Sequence, residues 1–269
     1  MTRGELDICD LAGLREAVAE LAPDVVLNAA ACTDVERAER PESRSEVWSV
    51  NASGAENVAR ASADAGAPVI HLSTDYVFDG IGTAPYSEDD TPSPLNVYGM
   101  AKLEGDRLVA AANPRHLILR SSWIFSPYSR NFVRTMLRLM GGQREIRVVD
   151  DQVGGPTSAS DLARTVLLLC CAISDVHDFG AWGLYNYAGK PDVSWFSFAS
   201  FIRQTVVSEG LLREVPDLVP ISSREYPSGV RRPSSSRLDL SRIRSVFGLP
   251  PSDWQHEIRC HLAAYLGQG

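Results

Sequence analysis

Apolar residues recur along this chain in two rhythms that alternate. Short, nearly unbroken apolar runs occur at Asp24–Ala31, Val69–Leu72, His116–Arg120, Ile146–Val149 and Leu184–Ala188. Such runs, too short for helices and rich in Val, Ile and Leu, predict strands buried on both faces. Between them the spacing becomes helical. Asp10 can cap a helix over Leu11–Leu21 that places Leu14, Val18 and Leu21 on one face. From Glu42 to Ala65, Val47, Val50, Ala55, Val58 and Ala59 share a face, and Gly66 and Pro68 close the pattern. Further helices are expected at Val97–Ala112 and Asn131–Met140, from a Ser158 or Ser160 cap to about Ala172, and at Ser194–Glu209 and Trp254–Leu266. Glu5–Ile8 reads as one more short strand. Strand and helix alternating at roughly 25 to 45 residues per unit predict an α/β fold, a parallel sheet with helices on both faces. The irregular last third predicts a smaller lobe folded onto the sheet's carboxyl edge.

Composition narrows this picture without changing it. The 269 residues can bury a substantial core, and 44% hydrophobic with 22% charged content is ordinary for a globular chain. The net charge of -8, with no dense basic run, argues against a nucleic-acid partner. Five cysteines without a CxxC pair suggest neither a disulfide framework nor a zinc ribbon, and they are expected as buried thiols. The five histidines show no metal-ligand spacing. No basic-then-apolar leader opens the sequence and no apolar run reaches the ~18 residues of a membrane span, so a cytoplasmic protein is expected. Glu88, Asp89 and Asp90 read as a solvated loop edge.

The candidate chemistry sits where the strand pattern stops. Ser73-Thr74-Asp75 follows the Val69–Leu72 run, at the carboxyl end of a strand, where open α/β sheets place their ligands. Tyr98 and Lys102 then lie one helical turn apart on one face. Reducing a ketone with a nicotinamide requires a hydride at carbon and a proton at oxygen. A tyrosine, with its pKa of about 10, supplies that proton best when a neighbouring cation lowers the value, a role open to Lys102. Thr74 could hydrogen-bond the carbonyl oxygen as charge develops. Tyr and Lys at this spacing recur on many solvated helices, so the strand-end Ser-Thr-Asp carries much of the argument.

Several stretches in fixed order make the reading specific: Val25–Asp34, Leu72–Gly80, Ser93–Gly99, Arg120–Phe125, Asn131-Phe132, Asp151–Thr157 and Arg232-Pro233. In these the sequence resembles the dTDP-4-dehydrorhamnose reductase family of the extended short-chain dehydrogenase/reductase superfamily. The resemblance implies a Rossmann-type core that binds NADPH or NADH, over about 1–150, and a mainly substrate-binding α/β lobe over 151–269 with segments returning to the core. It implies reduction of the 4-keto group of a dTDP-4-dehydro-6-deoxy sugar, giving dTDP-L-rhamnose. Thr74, Tyr98 and Lys102 match the catalytic trio. Asp7, Ile8, Ala29, Ala30, Ala31 and Thr33 match the cofactor wall, together with Tyr98 and Lys102. Thr74, Asp75, Trp123, Gln152 and Arg232 match the substrate side; Trp123 reads equally well as a core aromatic.

One family feature is missing from this sequence, the amino-terminal strand with its GxxGxxG turn and helix, whose backbone amides hold a pyrophosphate. Two explanations stand. Either the natural protein carries about 30 further residues upstream, the size of a βαβ unit, which is the preferred expectation, or the short chain completes its sheet another way, for example as a homodimer. The alternative functions are a 4-ketoreductase for another deoxysugar, a non-catalytic module resembling the regulatory subunit of methionine adenosyltransferase, and an inactive fragment. An intact trio favours the enzyme. The choice between NADH and NADPH is not written in these residues.

Overall fold

The computed structural model describes residues 4–175, 179–212 and 214–266, which leaves His177 outside the described residues. Asp10 accepts the Ala12 and Gly13 N–H groups and opens α1 (Leu11–Leu21), the helix expected from that cap. The strand expected at Glu5–Ile8 does not form, since these residues are turn and coil. Their polar groups are used otherwise: Asp7 Oδ1 accepts the Cys9 N–H at 2.9 Å, and the Ile8 carbonyl accepts from Asn57 Nδ2 at 3.1 Å. Alternating polarity makes a strand only where a neighbour completes its hydrogen-bond ladder.

β1 (Val26–Asn28) is shorter than the apolar run that predicts it and lies at a sheet edge, where Leu27 is 47% exposed. A short α2 (Val35–Ala38), capped by Asp34, follows without having been expected. The helix predicted over 42–65 is a rod of three pieces: α3 (Pro41–Trp48), a widened π segment at Ser49–Gly54, and α4 (Ala55–Asp64). Then come β2 (Val69–Thr74), a 3₁₀ turn at Asp75–Val77, α5 (Val97–Ala112), β3 (His116–Ser121), β4 (Ile124–Phe125), α6 (Phe132–Met140) and β5 (Glu145–Val149). The chain continues through β6 (Val153–Gly154), β7 (Thr157–Ser158), α7 (Ala159–Asp175), β8 (Gly183–Tyr187), β9 (Val193–Ser194) and α8 (Trp195–Ser208). It ends with β10 (Asp217–Ile221), α9 (Ser241–Phe247) and α10 (Trp254–Leu266). Ser158, rather than Ser160, caps α7, its Oγ accepting the Ser160 N–H at 3.2 Å.

The main sheet is parallel, in the order β1-β2-β3-β8. Its central strands, β2 and β3, bury both faces by simple alternation. Val69 and Ile118 point into a cluster with Leu14, Val18, Val58 and Val109 from α1, α4 and α5. Ile70, Leu117 and Leu119 point the other way, onto Leu162, Val166 and Leu169 of α7 and Ile243 of α9. A second core joins Val133, Met136 and Met140 of α6 with Phe198 and Ile202 of α8 and Trp254 and Ile258 of α10. Over it lies the parallel pair β5–β10, whose second strand falls in the last third, read from sequence as irregular.

Two surface expectations are corrected. Glu88 is buried, and its Oε1 accepts the Asn186 N–H of β8 at 2.8 Å, while Asp89 and Asp90 are exposed. Of the cysteines, Cys9, Cys171 and Cys260 are exposed and Cys32 and Cys170 half-buried. A cysteine's apolar character does not decide which helix face it occupies.

Candidate active site

β2 delivers Thr74 and Asp75 to the carboxyl edge of the sheet. Thr74 caps the 3₁₀ turn there: its Oγ1 accepts the Tyr76 N–H at 3.2 Å and donates to Asp75 Oδ1 at 3.1 Å. Asp75 is buried, and burial pushes its pKa up to about 6, opposed by neighbouring hydroxyls, among them that of Thr74.

Asn96 sets where α5 begins. Its Oδ1 accepts the Gly99 N–H at 2.8 Å, and its Nδ2 donates to the Arg231 carbonyl at 3.1 Å. A β-carbon on Gly99 would stand 2.2 Å from the Tyr76 carbonyl oxygen. Only glycine lets the first turn of α5 press onto the 3₁₀ turn, and that contact brings the Tyr98 phenol into hydrogen-bonding reach of the Thr74 hydroxyl. Tyr76 and Tyr98 meet edge to face, with ring centroids 5.9 Å apart. The strand-end hydroxyl and the helix tyrosine are therefore neighbours.

Lys102 lies deeper than Tyr98 and Thr74. The side chain is 1% exposed, and its Nζ lies 2.7 Å from the Leu72 carbonyl oxygen and 3.1 Å from His71 Nε2. It is held beneath the strand end. Burial lowers its pKa to about 8, partly offset by the Asp106 carboxylate. Tyr98 is pushed well above the ordinary phenol range by burial first; the Thr74 hydroxyl opposes this, and Asp75, Tyr76 and Asp106 add to it. The phenol keeps its proton at neutral pH, the state a proton donor requires.

Of the residues matched to a cofactor wall, Ile8, Ala29 and Ala30 line one open groove with Leu6, Leu14 and Val26. Ala29, Ala30 and Thr33 are exposed and Ala31 is half-buried. Asn28 Oδ1 accepts the Ala30 N–H at 3.1 Å. Asn51 clamps the next turn, its Oδ1 accepting from Cys32 N at 2.8 Å and its Nδ2 donating to Cys32 O at 3.0 Å. The π segment presents Asn51 for this task. Gly105 of α5 packs directly against it, where a β-carbon would come within 2.1 Å of the Asn51 carbonyl oxygen. Asp7 is exposed in the amino-terminal loop and is not among the residues of that groove.

On the other side, Gln152 and Arg232 line a cleft of about 290 Å³ with Trp195, Tyr226 and Met136. Arg232 Nη2 pairs with Glu36 Oε1 at 2.7 Å, and Nη1 donates to Ser228 Oγ at 2.7 Å. Trp123 stacks on Trp195, ring centroids 3.4 Å apart and 6° from parallel. Its φ of 46° is left-handed, rare for a bulky residue and characteristic of sites held by their surroundings. Sequence reasoning missed His71, Asn28, Asn51, Trp195 and Tyr226. For His71 the signal was available: a polar ring inside an otherwise apolar strand.

The family model described as "RmlD substrate binding domain" matches residues 1–266. The dTDP-4-dehydrorhamnose reductase of Aggregatibacter actinomycetemcomitans is 40% identical over 261 residues, 97% of this chain and 87% of that one. The reductase of the same name from Escherichia coli strain K12 is 35% identical, covering 93% and 82% of the two chains. Among solved structures, the dTDP-4-dehydrorhamnose reductase of Bacillus anthracis in complex with NADP superposes with a TM-score of 0.87 at 31% identity, covering 98% of this chain and 88% of that one. The ortholog from Clostridium acetobutylicum superposes with a TM-score of 0.89 at 32% identity, covering 100% and 90%.

Proposed function

We propose a reaction from one premise, that this chain belongs to the RmlD substrate binding domain family, whose relatives named above are dTDP-4-dehydrorhamnose reductases. The chain is an NAD(P)H-dependent oxidoreductase that reduces the 4-keto group of a dTDP-4-dehydro-6-deoxy sugar, dTDP-4-dehydro-L-rhamnose to dTDP-L-rhamnose. The observation that carries the site assignment is the approach of Tyr98 to Thr74 at the end of β2, with Lys102 one turn away. Non-catalytic binding modules are disfavoured by the same observation and by the named activity of the relatives.

The residues present fit the nicotinamide half of such a cofactor. The Ala29–Thr33 segment offers exposed small residues and pinned backbone, and α5 lies beside it, with Tyr98 packed in one cluster with Cys32 and Lys102 reaching His71 next to Asn28. Among the described residues no glycine-rich strand-to-helix turn lines this groove. When bound, the nicotinamide supplies the hydride. The chain's own part is to orient the ketone and protonate it: Thr74 turns its hydroxyl from Asp75 to the carbonyl oxygen, and Tyr98 donates the proton as an alkoxide develops. Because burial holds the phenol protonated, transfer occurs only to a strong base such as that alkoxide. Gln152 and Arg232, with Trp123 behind them on Trp195, would hold the nucleotide-sugar, and Asp75 would fix the Thr74 rotamer.

We assign 1–150 mainly to the cofactor side and 151–269 mainly to the substrate side, with β8 returning to the main sheet. No helix among the described residues is long and apolar enough to cross a membrane, and we place the reaction in the cytoplasm. The test is NADPH oxidation with dTDP-4-dehydro-6-deoxy sugars, with product identified by NMR. Protein that binds NADPH and the sugar yet yields no reduced sugar would overturn this function.

A further inference from the structure

His71 has no part in the chemistry above, yet it is fully buried and touches Lys102. Its Nδ1 lies 3.0 Å from Asn28 Nδ2, and its Nε2 lies 3.1 Å from Lys102 Nζ. The partners decide which nitrogen carries the proton. Asn28 Oδ1 is taken by the Ala30 N–H, so the amide faces the ring with its NH₂ group, and Nδ1 must accept. The ring proton is then on Nε2 and points at Nζ. A neutral amine can receive it on its lone pair while donating to the Leu72 carbonyl at 2.7 Å. An ammonium has three donors and no lone pair, and would meet the Nε2–H head on.

We propose that His71 is a positioning residue for Lys102, a neutral imidazole whose tautomer follows the charge of the Lys102 amine and passes that charge through Asn28 to the Ala30 backbone. When Nζ gains a proton, the ring proton moves from Nε2 to Nδ1, and Nε2 accepts from the ammonium. The Asn28 amide turns its Oδ1 to the new Nδ1–H and releases the Ala30 N–H. The imidazole holds one proton throughout, and the single proton taken up resides on Nζ. The inference rests on the reading of Lys102 as a member of the proton-transfer group: each turnover withdraws a proton at Tyr98, and the buried amine one turn away is placed to replace it. The charge of Lys102 would thereby set how firmly the Ala29–Ala31 wall is pinned.

The surrounding charges allow both states. On α5, Tyr98 and Asp106 face Lys102; on β2, His71 and, beyond it, Asp75; on β3, Arg120, whose Nε donates to Asp106 Oδ2 at 3.1 Å. Asp106 Oδ1, 3.9 Å from His71 Nε2, has no hydrogen-bond partner and favours the ammonium, while burial opposes it. Burial, and then the Lys102 charge, hold His71 well below the ordinary imidazole range, so imidazolium does not compete with the two neutral tautomers.

Nitrogen-15 NMR of the imidazole groups in the full chain tests this without substrate, so its outcome is separate from that of the reductase assay. His71→Asn identifies the signals. From about pH 6 to about pH 10, the His71 signals should change from the Nδ1–H to the Nε2–H pattern with a single midpoint. Lys102→Met should leave Nε2–H at every pH. Asn28→Asp, whose two carboxylate oxygens satisfy both Ala30 N–H and Nδ1–H, should hold Nδ1–H throughout. A single tautomer across the range in the unaltered chain, or an imidazolium, overturns the proposal. In the active enzyme His71→Phe should move the Lys102 limb of the kcat–pH profile down by about one pH unit, because the ammonium loses a charge-assisted hydrogen bond where the amine loses a weaker neutral one. A uniform fall at all pH would mean that His71 only fills space.

Discussion

Replacing Gly99 with alanine tests the link between packing and chemistry directly. On helix propensity alone the change is favourable by about 1 kcal/mol, because α5 continues through this position. The structure reverses the sign. The added β-carbon would lie 2.2 Å from the Tyr76 carbonyl oxygen and 3.0 Å from Pro94 Cβ. Ordinary contact begins near 3.4 Å, so α5 and the 3₁₀ turn must separate by about 1 Å, and both obstacles belong to or adjoin backbone. Overpacking of this kind costs about 1–3 kcal/mol, leaving a net loss of up to about 2 kcal/mol and a fall in Tm of a few degrees, roughly 2 °C per kcal/mol for a chain of this size. The functional loss should be larger. A shift of about 1 Å between Tyr98 and Thr74 is of the order that costs about 100-fold in rate. Gly142→Ala, where a β-carbon meets nothing within 4 Å, is the control and should change neither quantity. Differential scanning calorimetry and NADPH oxidation read the two effects. Gly99→Ala with unaltered kcat would refute the claim that this contact positions the tyrosine.

Four further outcomes follow from the same geometry. Tyr98→Phe removes the proton donor and should lower kcat by about 100- to 10,000-fold, with the sugar KM little changed; a large KM effect would point to binding instead. Asp75, raised in the folded state to about 6 from its ordinary 3.8, binds a proton more tightly folded than unfolded. Its stabilising contribution is complete below about pH 4, is lost as pH rises through 6, and is at most about 3 kcal/mol. Asp75→Asn should therefore flatten stability between these values in denaturant titrations, and a curve parallel to the parent's would contradict the burial argument. Arg232→Ala should raise the KM for the nucleotide-sugar about tenfold or more through loss of a charge-assisted contact. Glu36→Ala, which removes the half-exposed pair with Arg232 and the hydrogen bond from Ser228 Oγ, should shift stability by about 1 kcal/mol or less.

The elements that sequence located to the residue are those with local causes. Asp10 caps α1 and Asn96 caps α5 with their own side chains, and α10 begins at Trp254 where its periodicity begins. β2 and β3 follow from apolar runs that fit a sheet buried on both faces. Elsewhere distant chain decided. Glu5–Ile8 alternates like a strand but has no ladder to join. The rod from Pro41 to Asp64 widens at Ser49–Gly54, where Asn51 is drawn to Cys32 and Gly105 closes on its backbone. Glu88 looks solvated beside two other acids, yet β8 supplies the N–H that buries it.

The site divides along the same line. Sequence by itself determined which groups are present and in what order: a hydroxyl and a carboxylate at a strand end, then a tyrosine and a lysine one turn apart on the following helix. Helical and strand periods fix those relations whatever the rest of the chain does. Tertiary structure alone decided what the groups are chemically. Burial drives the Tyr98 phenol up instead of down and leaves Asp75 to titrate near neutrality. The flexible stem of Lys102 ends wherever a carbonyl and an imidazole receive its amine, and those come from β2, 30 and 31 residues away. Desolvation and long-side-chain placement depend on what packs overhead, and no local spacing encodes that.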